Sequence, residues 1–308
     1  LRKLNFNKIE ALNFNNDGAF FKIPNNNKLI VTNDTIIENI DFFTDDPPES
    51  IANKIVTCNL SDLSAMGAKP YCYTLSLCLP INVTHEWLEK FTNKLLSIQK
   101  KFNFFLIGGD LSKSKKINIS SNFFGFIFKK KIISRRNARI GDDIWVTGNI
   151  GDSSIGLKVK RKKIKINNVD KRYFINKYLY PSHFSEGHLI NSIATSSIDI
   201  SDGFYGDLEK LLLTNNIGSS IQSNLLPFSS KVKKLINKNL IKLDYLLKSG
   251  DDYQLIFTTN PKNDFLVKRL SKKKNIKITK IGKIIDKFGI FLDDKKIKIT
   301  NKSFQHFS

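Results

Sequence analysis

Asn59-Leu60-Ser61-Asp62-Leu63-Ser64-Ala65-Met66-Gly67-Ala68 sets an acid inside an apolar, small-residue helix end, in a chain otherwise rich in lysine. Upstream, Pro47-Pro48-Glu49-Ser50 reads as a helix start, with proline and an acid in the first turn. Ile51, Ala52, Ile55, Val56, Leu60 and Leu63 then recur at helical spacing, and Gly67 is placed to stop the helix at a left-handed C′ position. On this helix Asn59 and Asp62 stand one turn apart, so they are expected to present an amide and a carboxylate together, away from most of the apolar stripe. A solvated polar face explains that pair equally well. Its weight comes from similar isolated acids along the rest of the chain.

Towards the N-terminus, Ala19-Phe20-Phe21-Lys22-Ile23 and Lys28-Leu29-Ile30-Val31-Thr32 read as two strands of a hairpin turning at Pro24–Asn27. Asp17 precedes the first and Asn33-Asp34-Thr35 follows the second, which brings two acids toward one sheet end; Asn and Asp also favour such positions for turn chemistry alone. Beyond the opening helix come a strand (Tyr71 to Leu79), an amphipathic helix (Thr84 to Lys101) and a buried-looking strand, Phe104-Phe105-Leu106-Ile107, running into Gly108-Gly109-Asp110. Two glycines and an acid suit a turn where backbone approaches a phosphate and a carboxylate reaches a cation. Glycine pairs ending strands are common, so this motif is weak by itself. Ile119 to Lys129 is a further strand. Arg135 in Ser134-Arg135-Arg136 has the chemistry to clamp phosphate oxygens, or to sit at the surface.

A domain boundary is expected near Arg139 to Gly141, giving domains 1–138 and 139–308. Past it, Asp143 to Gly148 is a strand and turn, Gly151-Asp152-Ser153-Ser154 opens a helix, and the lysine-rich stretch 158 to 172 reads as a surface excursion. Ser197-Ile198-Asp199-Ile200-Ser201-Asp202-Gly203 places two acids three apart before a helix from Phe204 to Leu213, with Asp202 as its N-cap on the plain structural reading. Ser249-Gly250-Asp251-Asp252-Tyr253 is a glycine-acid turn entering a strand. A basic helix (Lys262 to Lys274), two strands (Ile276 to Ile284, Gly289 to Leu292) and a tail containing Phe304 complete the chain.

The 308 residues, 41% hydrophobic with 24 phenylalanines, are enough for two domains with their own cores. The apolar stretches fall well short of the ~20 residues of a membrane helix, so no membrane span is expected. The N-terminus carries charges but no continuous apolar core of a signal peptide. Cys58, Cys72 and Cys78 are odd in number and lack metal spacing, which reads as reduced thiols of a cytoplasmic protein. A net charge of +22 raises nucleic acid as a partner, but the lysines are spread over every segment and mixed with Asn, Ile and Phe, so no nucleic-acid partner is expected.

Asp17, Asp34, Asp62, Asp110, Asp199 and Asp202 thus form a set of acids among small or apolar residues. Carboxylates sharing a low-dielectric cleft repel one another unless cations compensate. Oxygen-only ligands without Cys or His clusters point to a hard ion, Mg²⁺, completed by water and phosphate. With Gly109 and Arg135 in the reading, the site looks built for a nucleoside triphosphate, as in phosphoryl transfer. Neither a Gly-x-x-x-x-Gly-Lys loop nor a protein-kinase signature is present, so a different ATP-using architecture is required.

In this order, Asn-Leu-Ser-Asp62-Leu-Ser-Ala-Met-Gly-Ala, Leu-Ile-Gly-Gly109-Asp110, Gly-Asp-Asp-Ile-Trp-Val-Thr-Gly, Ile-Asp199-Ile-Ser201-Asp202-Gly and Ser-Gly-Asp251-Asp252-Tyr resemble the thiamine-monophosphate kinase family, over nearly the whole chain. That family belongs to a superfamily with aminoimidazole ribonucleotide synthetase and selenophosphate synthetase. The resemblance implies a two-domain α/β (α+β) fold of the aminoimidazole ribonucleotide synthetase type. An N-terminal sheet would pair across a homodimer, a C-terminal α/β domain would cover the nucleotide, and the active site would lie between them. It implies ATP-dependent phosphorylation of thiamine monophosphate to thiamine diphosphate by direct transfer, with ATP as co-substrate and Mg²⁺ as cofactor. Position by position, it implies magnesium ligands at Asp17, Thr32, Asn33, Asp34, Asp62, Asp110, Asp199 and Asp202. Gly109, Asp110, Arg135 and Ser201 would serve ATP, and Asp41, Asp251 and Phe304 the substrate.

The chain departs from the family's pattern at Asn15-Asn16-Asp17, where one acid is lost, and at Asn33, Asp41 and Asp251; it also starts at Leu1 without the family's early helix. A partly degenerate member with reduced activity, or another ATP-dependent synthetase of the superfamily, is therefore the alternative function. Selenophosphate synthetase fits less well, because it relies on a reactive Cys or selenocysteine near an N-terminal glycine-rich loop, and the first cysteine here is Cys58. A non-enzymatic, nucleic-acid-binding protein is the rival from another class, and it requires tight, salt-dependent binding.

Overall fold

Alternation governs the first strand, β1 (Asn27–Ile37), which buries Ile30, Thr32 and Ile36 on one face and exposes Val31, Asn33 and Thr35 on the other. The computed structural model describes residues 2–10, 21, 23, 27–128 and 131–297. It is mixed α/β, and its described residues fall into two compact units, Leu1–Leu63 with Ala68–Lys130, and Ser64–Gly67 with Lys131–Ser308. Asp17, Phe304 and most of the hairpin expected around Pro24 lie outside the described residues.

The first unit is built on a four-stranded sheet, ordered β1-β4-β2-β3, with β2 at Lys69–Leu79, β3 at Phe105–Lys113 and β4 at Asn118–Phe128. β4 runs antiparallel to both β1 and β2, while β2 and β3 are parallel, joined through helix α2 (His85–Phe102). Thr84 caps α2 by accepting from the Trp87 amide, and Asn103 ends it in the left-handed region. The sheet buries one face against α1 (Pro48–Ala65) and α2. On it the rings of Tyr73, Phe104 and Phe123 pack together, and the Tyr73 hydroxyl reaches Gln99 of α2 at 3.3 Å. α1 stops as expected: Gly67 takes φ +77°, and the Gly67 and Ala68 amides return to Ser64 and Leu63.

Two local expectations fail here for the same reason. Asn33-Asp34-Thr35 does not follow a strand but lies within β1, paired to Asn122, Ser121 and Ser120. Likewise Gly108-Gly109-Asp110 is not a turn but the middle of β3, aligned with Thr74, Leu75 and Ser76. In both cases inter-strand pairing overrides turn-forming composition. Glycine is needed at Gly109 because a Cβ would lie 2.1 Å from the Leu75 carbonyl oxygen.

The second unit carries a seven-stranded sheet. Its strands are β5 (Asp143–Thr147), β6 (Ala194–Asp199), β7 (Gly218–Ile221), β8 (Leu255–Thr259), β9 (Ile278–Ile285), β10 (Gly289–Leu292) and β11 (Lys295–Lys296), ordered β11-β10-β7-β9-β5-β8-β6. Among the described residues of this sheet, only the β10–β7 pair is parallel. α3 (Asp152–Lys160), α4 (Asn168–Leu179), α5 (Gly187–Ile190), α6 (Phe204–Asn215), α7 (Ser230–Asn237), α8 (Leu243–Lys248) and α9 (Asp264–Lys274) complete it. The main core joins Ile144 and Val146 of β5 and Ile198 of β6 to Leu208, Leu211 and Leu212 of α6. The stretch read as a surface excursion is partly helical: Asn167 caps α4, which buries Phe174 and Tyr178.

Candidate active site

In the first unit, Thr32 and Asp34 point to the helix-covered face of the sheet. The Thr32 hydroxyl donates to Asn59 Oδ1 at 2.9 Å, and Asn59 Nδ2 donates to the Ile55 carbonyl at 3.1 Å. Asn59 is therefore fully buried and ties α1 to β1, rather than being presented beside Asp62 as its helical position suggested. Asp34 Oδ2 is buried without a hydrogen-bond partner. Burial, and after it the charge of Asp41, push the Asp34 carboxyl up to about 6. Asp41 closes the loop after β1 by accepting the Ile37 amide at 2.7 Å, and its own carbonyl accepts from Lys54 at 2.7 Å. Asp62 stands half-buried on α1.

The opposite face of the same sheet carries a polar ladder. Asn33 Nδ2 donates to Asn122 Oδ1 at 2.7 Å, and Asn122 Nδ2 to Thr74 Oγ1 at 3.1 Å. In the next register row Thr35 pairs with Ser120 at 3.0 Å, and the row continues through Ser76 to Asp110, whose Oδ2 accepts from Ser112 at 2.8 Å. Thr32 and Asn33, consecutive in one strand, thus face opposite ways. Asp34 on β1 and Asp110 on β3 are separated by three strand spacings, about 14 Å, so one chain does not bring them to the same ion. Gly109 and Asp110 are both exposed.

In the second unit, β6 ends at the buried Asp199 and the chain turns through Ser201-Asp202-Gly203 into α6. The turn is organised by a residue that the sequence reading passed over. Asp207 Oδ2 accepts the amides of Ser201, Asp202 and Gly203 at 3.1, 3.0 and 3.1 Å. Asp202 is therefore not the cap of α6; Gly203 occupies that position without a side-chain bond, and Asp207 reaches back instead. Lys210, one turn on, donates to Asp207 Oδ1 at 2.8 Å and also to Asp202 Oδ2. Burial raises the Asp207 carboxyl above its ordinary range, opposed chiefly by Lys210. Arg135 lies in a 3-10 turn (Arg135–Asn137) entered from Ser134, with an exposed side chain and its carbonyl bound by Asn215 of α6.

The same unit holds a cavity of about 270 Å³ lined by Asn149, Asp152, Lys177, His183, Asp251 and Asp252, among others. Both oxygens of Asp252 lie 2.9 Å from the Gly151 amide, and burial lifts its carboxyl well above the ordinary range. Asp152 at the start of α3 accepts from Ser229 at 2.6 Å and Tyr173 at 2.9 Å. Neither Asp207, Lys210 nor the Asp252–Gly151 bond was singled out from sequence. An acid in the first turn of a helix that begins at an uncapped glycine was the available signal for Asp207.

Among the described residues no group of three or more His, Cys, Asp or Glu side chains stands ready to hold a metal ion. The residues still fit a magnesium ion at Asp34, where an orphaned carboxylate oxygen beside a second acid lacks a counter-charge. At Asp202 that charge is answered by Lys210. Among the described residues no helix is long and apolar enough to cross a membrane.

Residues 15–127 match the AIR synthase related protein, N-terminal domain, family model. The thiamine-monophosphate kinase of Buchnera aphidicola subsp. Acyrthosiphon pisum is 38% identical over 314 residues, covering 99% of this chain and 95% of that protein. The crystal structure of thiamine-monophosphate kinase from Stenotrophomonas maltophilia K279a superposes with a TM-score of 0.85 at 28% identity, over 92% of this chain and 90% of its own. The structure of AaThiL complexed with AMPPCP and TMP gives 0.81 at 28% identity, over 94% and 91%.

Proposed function

The chain belongs to the thiamine-monophosphate kinase family, and from that premise we infer that it transfers the terminal phosphoryl group of ATP to thiamine monophosphate, yielding ADP and thiamine diphosphate. The full-length likeness to kinases of this one specificity carries the reading. Capture of a non-transferable ATP analogue with TMP in a homologous structure supports a direct reaction between the two bound substrates.

The transition state of such a transfer spreads charge over the phosphoryl oxygens, and the protein's task is to position the reactants and answer that charge. Magnesium, when bound, supplies the positive charge that shields phosphate oxygens from one another. Its ligands in this reading are Asp34, Asp62, Asp110, Asp199 and Asp202, with Asp17, Thr32 and Asn33; the orphaned oxygen of Asp34 is the strongest support for this set. Ser201 meets ATP through its hydroxyl, because its amide is already taken by Asp207. Gly109 offers backbone without a side chain in the way, and Arg135 offers an exposed guanidinium. Asp251, Asp41 and Phe304 serve the substrate; a carboxylate and an aromatic ring both suit a cationic heterocycle. Among the described residues Cys58, Cys72 and Cys78 are joined in no disulfide, which suits a reducing cytoplasm, and a second copy of the chain is the expected partner.

Incubation of the protein with ATP, Mg²⁺ and thiamine monophosphate is expected to yield thiamine diphosphate. Aminoimidazole and selenium substrates, run alongside, are expected to be inert. Asp34→Asn should lower turnover by roughly 100-fold or more, the scale of losing one electrostatic anchor. Its thermal midpoint should hold or rise, since a buried, unanswered charge has been removed. Product formed only from a rival substrate overturns the assignment.

A further inference from the structure

The segment that carries Asp251 enters β8 through two non-glycine residues at positive φ, Asp251 at 66° and Tyr253 at 51°. Such backbone is unfavourable for residues with a Cβ and persists where the surroundings over-determine it. Here they do. The Asp251 amide donates to the Ser201 carbonyl at 2.9 Å, the Tyr253 amide to the Ile200 carbonyl at 2.8 Å, and the Ile200 amide back to the Gln254 carbonyl at 2.7 Å. This short backbone zipper pins the double kink to the strand end that bears Asp199 and Ser201.

The kink has one evident product, which is that its two side chains meet. The Tyr253 hydroxyl donates to Asp251 Oδ1 at 2.8 Å. Tyr253 is only 3% exposed, so its ring is held by packing and its hydroxyl is a fixed point. Asp251 is half-buried and lines the 270 Å³ cavity. That volume is a little below the roughly 300–1,000 Å³ of sites for drug-sized ligands, so it suits one end of such a molecule rather than the whole. A carboxylate on an unsupported turn samples several rotamers; one oxygen bonded to a buried phenol restricts that freedom.

We propose that Tyr253 is a positioning residue for the substrate: its hydroxyl holds the Asp251 carboxylate in the orientation that receives the cationic heterocycle in this cavity. The inference rests on the reading of Asp251 as a substrate contact. Tyr253 touches no reacting atom; it acts through Asp251.

Calorimetric titration of the full chain with thiamine monophosphate, in wild type, Tyr253→Phe, Asp251→Asn and the double variant, tests it. Tyr253→Phe should weaken binding about tenfold, the size of one hydrogen bond to a charged group. In steady-state kinetics KM for thiamine monophosphate should rise by a similar factor while kcat and KM for ATP stay within twofold. The double variant should bind no more weakly than Asp251→Asn, because a residue that works only through Asp251 has nothing left to position. A Tyr253→Phe protein with unchanged affinity, or losses that multiply in the double variant, overturns the proposal and leaves the kinase reading standing. If Asp251→Asn binds as wild type does, the role of Asp251 falls and this inference with it. Wild type that fails to bind thiamine monophosphate overturns both.

Discussion

Asn59 takes the Thr32 hydroxyl at 2.9 Å and so fastens the middle of α1 to the strand that holds Asp34. Because the bond is buried, it acts as a register pin: α1 cannot turn or slide without leaving a hydroxyl and an amide unpaired. Asn59→Ala is expected to destabilise the protein by about 1–3 kcal/mol, the cost of stranding a buried polar partner. Pairing Asn59→Leu with Thr32→Val should cost less than either change alone, because both polar groups leave together. Urea denaturation of Asn59→Ala, of Asn59→Leu and Thr32→Val singly, and of that pair combined checks this, and a double variant as unstable as the sum of its parts would contradict it.

Asp207 serves three amides with one oxygen. Asp207→Ala should cost about 3 kcal/mol or more, since three turn amides lose their acceptor and Lys210 loses one of two carboxylates. In kinetics the same variant should raise KM for ATP more than KM for thiamine monophosphate. Asp207→Asn, which keeps one acceptor oxygen, should fall between. Equal effects on both substrates would show that the turn is structural scaffolding alone.

Asp252 gives the stability a pH dependence whose sign follows from burial. Its folded-state carboxyl is raised well above the ordinary value of 3.8, so between that value and the raised one the folded chain holds a proton that the unfolded chain has released. Stability from this group is present below 3.8 and declines as pH rises through the raised folded value. Asp252→Asn should therefore flatten the fall in unfolding free energy as pH rises above 3.8, read by urea titrations at several pH values. An unchanged slope would mean that another group carries it.

Much of this architecture was legible because local signals agreed with long-range ones. The α1 stripe, its Gly67 stop and the span of α2 stand where spacing and stop signals put them, with Thr84 capping α2 rather than belonging to it. Where the two disagreed, pairing prevailed. Gly108 and Gly109 look like a turn in isolation, yet they lie flat in β3, paired with Thr74 and Leu75 of β2, and at Gly109 the Leu75 backbone leaves no room for a Cβ. α4 was hidden by its lysines: its buried side is little more than Phe174 and Tyr178, too narrow a stripe to show through. Asn59 was expected to face outward because it lies off the apolar stripe, but the helix is buried nearly all round. At the candidate site, the acids were visible as residue types, but not the face each would take. Strand parity separates Asn33 from Asp34, and strand order separates Asp34 from Asp110. Tyr253 was visible as the end of a motif but not as a partner of Asp251, since their meeting depends on backbone angles that composition does not reveal.

The turn after β6 is closed by the chain's own groups. With its amides gathered on Asp207, the loop is ordered by those groups, and on the proposed assignment of Ser201 to ATP a phosphate there would have no wandering segment to freeze. Affinity at that position should therefore depend little on temperature-driven loop ordering, and the grip on nucleotide should be rigid from first contact.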